Sequence, residues 1–206
     1  MCAETTERRR GRPPSIDRTA LLEAATRAFW RLGYDGASLG ELTAATGVSR
    51  PTLYASFGDK AELFEAVLDH YGATTGAAPL LAFEAAPDIA AAVAAFLRVA
   101  AEGNTRPDAP SGCLIACCAA TAAERAPALR DRLHRQAAAA TDRLARRFAA
   151  EVEAGHLDAD PSPGRRATLL LDLMYAQAVR ARSGATRADL LADLDARVHA
   201  VLGGTA

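Results

Sequence analysis

The stretch from Ser38 to Phe57, SLGELTAATGVSRPTLYASF, constrains the fold more than any other part of the chain. It reads as two short helices joined by a tight turn. Ser38 and Glu41 have the S-x-x-E spacing of a capping box, in which side chains satisfy the first orphan backbone donors. Leu39, Leu42 and Ala45 give one apolar stripe. Gly47 suits the left-handed conformation that ends a helix. Ser49 caps the second start, and Pro51 sits in a first turn that needs no backbone donor. Val48, Leu53 and Phe57 are expected to face inward. Arg50, Thr52, Tyr54 and Ser56 are then left facing out. A short helix held by its neighbour, showing a cation, hydroxyls and a phenol, suits a DNA major groove.

These residues and their flanks resemble the helix-turn-helix of the TetR family of one-component bacterial regulators. The features that carry the resemblance are Gly33-Tyr34, Ser38, Leu42, Ala45, Gly47-Val48-Ser49, Leu53-Tyr54, Phe57, Lys60 and Glu62-Leu63-Phe64. They cover roughly the first third of the chain, and many positions agree in order and context. The chain departs from the family where an aromatic residue or histidine often precedes the phenylalanine, since Ala55 and Ser56 stand there. The resemblance implies an all-α fold of about nine helices. An N-terminal three-helix DNA-binding domain would precede a larger ligand-binding and dimerisation domain. It also implies a homodimeric repressor on a palindromic double-stranded DNA operator, released by a small-molecule effector.

Composition agrees with helix. Half of the 206 residues are hydrophobic and only 5% are aromatic. The chain is long enough to bury a real core. Net charge is -1, but it is uneven. Residues 8–60 carry nine basic and five acidic side chains, while 61–206 carry fifteen and eighteen. The nucleic-acid-facing end is therefore expected at the N-terminus. Every basic residue is arginine except Lys60. No apolar run is long enough to span a membrane, no secretory signal is legible, and four cysteines make no disulfide framework. A cytoplasmic protein is expected.

Taken in order, residues 1–15 read as a disordered arginine-rich arm. Arg10-Gly11-Arg12-Pro13 resembles an AT-hook core, and Arg10 and Arg12 suit a narrow minor groove. Residues 16–72 form the DNA-binding domain. A first helix, about Asp17 to Leu32, buries Leu21, Leu22, Ala25, Phe29 and Leu32, and Gly33 ends it. After the helix-turn-helix, Asp59 and Glu62 make a second capping box, and Lys60 stands in the first turn of the next helix, well placed for a phosphate. Residues 73–206 form the ligand and dimer domain. Gly72 to Pro87 is a weak stretch with Gly76, Pro79 and Pro87 as breakers. Helices follow over about 89–100, 112–123, 127–155 and 165–182, and a last one begins at Thr186. The final two are apolar on more than one side and need a second partner.

Candidate DNA contacts are Arg10, Arg12, Ser38, Ser49, Arg50, Pro51, Thr52, Tyr54, Ser56 and Lys60. Arg50 suits a guanine or a phosphate, Thr52 and Tyr54 a thymine methyl or a phosphate, and Ser38 and Lys60 the backbone. Candidate effector contacts among the middle helices are His70, Phe83, Phe96, Cys113, Cys117, His134, Met174 and Tyr175, each of which also suits core packing. Cys113 and Cys117, four apart, share a helical face. With Cys118 they suit either a soft metal or oxidant, or plain burial among Ala, Leu and Ile. Gly112-Cys113-Leu114 resembles a triplet of electrophile-sensing family members, so a cysteine-sensing repressor stays open. No cofactor, metal or enzyme motif is legible, and the histidines are scattered. The alternative from another class is a helical small-molecule-binding or enzymatic domain with an incidental helix-turn-helix.

Overall fold

The computed structural model describes residues 17–124 and 126–203, and among them every regular element is helical. Arg10 and Arg12 lie outside these residues. Helices α1 Arg18–Gly36, α2 Leu39–Thr46, α3 Arg50–Phe57 and α4 Lys60–Ala73 build the N-terminal head. α5 Ala78–Ala85 and α6 Ile89–Asn104 follow, then a π-helical segment Ile115–Ala119 running into α7 Ala120–Ala122. The long α8 Pro127–Glu153 and α9 Pro163–Arg182 lie side by side, and α10 Arg187–Leu191 and α11 Leu194–Leu202 close the chain.

The helix ends follow the sequence signals. Asp17 accepts from the Thr19 and Ala20 amides. Gly33 leaves helical geometry at φ 74°, ψ 171°, and kinks α1 one turn before its end. Gly47 closes α2 at φ 70°. Asp59 and Glu62 form both halves of their capping box. Ser38 accepts from the Glu41 amide at 3.2 Å, but the reciprocal half is not made, so that box is single-sided.

Three expectations need correction. The weak stretch holds a helix, α5, because Pro79 sits in its first turn, where its missing donor costs nothing. The last helix is divided near Asp193 into α10 and α11. Leu32 and Ala45 are exposed, whereas Ala28 and Trp30 are buried; the inward face of α1 runs through Leu21, Ala25, Ala28 and Phe29, and Trp30 lies beside it while Leu32 is turned to its edge.

One apolar core joins Phe29, Leu42, Leu53, Phe57, Leu63, Phe64 and Tyr71 of the head to Leu114, Cys118 and Leu129. It therefore packs residues of the head directly against residues well beyond the weak stretch. A second core sets Phe83 and Phe96 against Phe148, Leu170 and Val201. Arginines hold several helix ends by donating to orphan carbonyls. Arg147 takes those of Phe83, Glu84 and Ala86, Arg197 that of Leu190, and the fully buried Arg166 that of Leu202.

Candidate functional site

The candidate reading surface is built by α3 and the start of α4. Leu53 and Phe57 are buried and seat the helix. Val48 is half-buried and packs beside them. Ser38, Ser49, Arg50 and Pro51 are exposed, and Thr52, Tyr54, Ser56 and Lys60 are half-exposed. Ser49 caps α3, and its hydroxyl lies 2.9 Å from that of Thr52. The Arg50 guanidinium lies 5.4 Å from the centroid of the Tyr54 ring and donates to its phenol oxygen at 3.4 Å. The two side chains thus present one joined surface. Ser56 turns its hydroxyl back onto the Thr52 carbonyl, so its donor is spent inside the helix. The Lys60 ammonium lies 4.6 Å from the Tyr34 ring centroid.

A cavity of about 100 Å³ opens behind the head. Its wall includes Tyr71 of α4, Cys113, Ile115, Gln136 and Leu133 of α8, and Met174 and Tyr175 of α9. That volume is well below the roughly 300–1,000 Å³ of sites for drug-sized ligands. Of the expected effector contacts, Cys113, Met174 and Tyr175 meet here. Phe83 and Phe96 are core, with ring centroids 6.2 Å apart. His134 is exposed on α8. His70 lines a separate, more polar cleft with Arg27, Trp30 and Arg106. Cys117 faces α9, its sulfur 3.7 Å from the Ala178 carbonyl oxygen. Those five fall elsewhere because apolar or ring-bearing residues at helical spacing serve core and cavity equally well.

The cysteines have different surroundings. Tyr71 donates its phenol to the Cys113 sulfur at 3.3 Å. Burial pushes the Cys113 thiol up, and the Tyr71 hydrogen bond pulls it partly back. Burial also pushes the Tyr71 and Tyr175 phenols up, which keeps both as donors. Cys118 is pushed up to about 11 by burial, and donates to the Trp30 carbonyl at 3.3 Å. Gly112 has a packing reason of its own: at φ 84°, an added Cβ would lie 2.8 Å from the Ala178 oxygen and 2.9 Å from the Cys117 sulfur. Among the described residues, no group of three His, Cys, Asp or Glu side chains is placed to hold a metal, and no helix is long and apolar enough to cross a membrane.

Two arginines missed in the sequence reading connect these parts. Arg18 of α1 donates to the Ser56 carbonyl, and Arg182 of α9 donates to that of Trp30. Both act on backbone oxygens far away in the sequence, which leave no residue pattern to read.

The comparisons with known proteins agree with this geometry. A family described as bacterial regulatory proteins, tetR family, matches residues 21–67. A second, described as the tetracyclin repressor-like C-terminal domain, matches residues 89–200. The chain is 41% identical over 109 residues to the HTH-type transcriptional repressor ComR of Escherichia coli, across 52% of this chain and 51% of ComR. It is 41% identical over 64 residues to the repressor BdcR of the same organism, across 31% and 32%. The aligned part thus spans about half or less of these two relatives. A solved structure of the TetR family regulator CifR, a cysteine mutant complexed with 26-bp double-strand operator DNA, superposes with a TM-score of 0.84 at 32% identity. That match covers 92% of this chain and 99% of CifR. With both domains matched in order and nearly the whole fold superposed, this chain belongs to the TetR family of bacterial transcriptional regulators.

Proposed function

We propose that the chain is a transcriptional repressor that binds a palindromic DNA operator as a homodimer and leaves it when a small molecule enters the cavity behind the head. The residue division 16–72 for reading and 73–206 for effector and dimer is part of this proposal. One observation carries it. Helix α4 begins at Lys60 on the reading surface and brings Tyr71 into the cavity wall. Eleven residues of helix separate them, about 16 Å at 1.5 Å per residue. An occupant that moves Tyr71 therefore moves one end of a rigid rod whose other end faces DNA. It must bind the released state better than the DNA-bound state, or it shifts nothing.

Each α3 would enter a major groove, with half-sites about one turn apart or slightly more. The dimer would form through the last two helices of the sequence reading, α9 and the divided α10–α11; on α9, Leu169, Ala176 and Val179 are exposed around the single charge of Asp172. The effector would be held by Cys113, Met174 and Tyr175 on the cavity wall. The position of Cys113 also supports a second reading, in which the effector is an electrophile that alkylates its thiol.

A gel shift against the DNA upstream of the protein's own gene tests the first step, with salt varied. Sequence-specific, salt-sensitive binding is expected, and its absence sinks the proposal. A thermal-shift screen then ranks effectors, since any ligand of the native state raises its melting point. Treating the protein–DNA complex with N-ethylmaleimide, for wild type and Cys113→Ser, separates the two readings. Release of the wild type alone identifies the thiol as the trigger.

A further inference from the structure

The recognition helix α3 has eight residues, too few to keep a shape or a direction without neighbours. Leu53 and Phe57 seat its inner face, and Ser49 caps its start. Its last carbonyls are orphans that something else must satisfy. The Gly58 amide takes that of Tyr54 at 2.8 Å. The Ser56 carbonyl goes to Arg18, whose Nη1 donates at 2.7 Å from the first turn of α1. The same guanidinium lies over the Phe57 ring, 4.4 Å from its centroid. One side chain thus holds both the backbone of the last turn and the ring that anchors it. A cation at a helix C-terminus also complements the helix dipole. The neighbouring Asp17 carboxylate is occupied in capping α1, and does not draw the guanidinium away.

We infer that Arg18 is a positioning residue for base readout. It fixes the angle at which α3 presents Arg50, Thr52 and Tyr54, and does not itself read a base. The inference rests on the DNA-reading role proposed above. Arg18 is exposed and charged, so the competing role is a phosphate contact. The two roles leave different marks. A phosphate contact supports all sequences alike and adds about 0.9 per subunit to the slope of log affinity against log salt. A positioning residue supports only the part of the affinity that depends on base edges.

The test takes a duplex selected by the full-length wild type from random sequence, and a scrambled duplex of equal length. Affinities of wild type, Arg18→Ala and Arg18→Lys are measured across a salt series. Amide hydrogen exchange is followed in the DNA-free proteins. Arg18→Ala is expected to bind the selected duplex about tenfold more weakly, the equivalent of one base contact. Scrambled-duplex affinity and the salt slope stay as in the wild type. Amides of residues 53–57 exchange faster, while those of α1 and α4 keep their rates. Arg18→Lys keeps the charge but lacks the planar fork, and stays defective. A parallel loss on both duplexes, a flatter slope and full rescue by lysine would overturn the inference and make Arg18 a phosphate contact. Unchanged exchange in α3 would overturn it whatever the DNA arm shows. If the wild type selects no duplex, the DNA-reading proposal fails, while the exchange arm still decides whether Arg18 holds α3.

Discussion

Arg182, at the end of α9, donates from Nη2 to the backbone carbonyl of Trp30 in α1 at 2.7 Å, and from Nη1 to that of Ser111 at 3.1 Å. The Cys118 thiol shares the Trp30 oxygen at 3.3 Å. The kink at Gly33 explains why that oxygen needs them, since it interrupts the ladder that would continue past Trp30. The two groups come from α9 and the π-helical segment. Those same two elements carry Met174, Tyr175 and Ile115 of the cavity wall. The first helix of the head is therefore tied to the walls of the cavity.

Arg182→Ala is expected to lower stability by about 1–2 kcal/mol, the loss of charge-assisted hydrogen bonds to two backbone oxygens. Arg182→Lys recovers only part, because an ammonium lacks the fork that spans both oxygens. Denaturant unfolding measures this. Equal midpoints for all three proteins would reduce the tie to a surface contact.

At the reading surface, Arg50→Ala is expected to weaken operator binding by about 1–3 kcal/mol and relax preference at one base pair per half-site. Lys60→Ala is expected to weaken all sequences alike and flatten the salt dependence. Affinities on an operator and its single-base variants decide the point. A base preference unaltered by Arg50→Ala would leave Arg50 a phosphate contact.

The reading head was legible in the sequence and the cavity only partly so. Ser38, Gly47, Ser49, Gly58 and Asp59 act locally, on backbone groups within four residues, so their spacing reveals them. Pro79 misled because a proline breaks a helix interior yet begins a helix well. Cavity walls depend on which turns of α4, α8 and α9 face each other. A sequence gives each helix its apolar side but not the depth at which two sides part. Phe96 and Met174 look alike as residues, and only packing puts one in the core and the other on the wall.

Alkaline pH gives a third measurement. The Cys118 thiol titrates at about 11 when folded, raised by burial from about 8.5 in an unfolded chain. The folded state therefore holds its proton more tightly. The stability linked to that proton is complete below about pH 8.5 and is lost as pH rises towards 11. Cys118→Ala is expected to lose less stability than the wild type between pH 8 and about 10.5. Denaturant midpoints at several pH values compare the two. Parallel curves would show that Cys118 does not titrate in this range.

Deleting residues 1–12 is expected to lower operator affinity while leaving the helical spectrum and oligomeric state as they were. The loss should be largest where the operator flanks are A·T-rich, because a narrow minor groove concentrates negative potential on inserted arginines. Binding competition between operators with A·T-rich and G·C-rich flanks reads this out. Equal loss on both would make the arm a general attraction for DNA.

Lys60 is the only lysine in the chain, and it stands over the Tyr34 ring at the edge of the reading head. The helix ends that need a cation are held by guanidinium groups, which amine-directed reagents leave untouched. Acylation therefore has a single side-chain address here, beside the Tyr34 ring. A succinimidyl dye coupled at a pH where lysine also reacts places one side-chain reporter on each head, in addition to any on the α-amine, with no cysteine to remove first. An acetyl group at the same place takes away the head's one ammonium and leaves the scaffold's charges as they were.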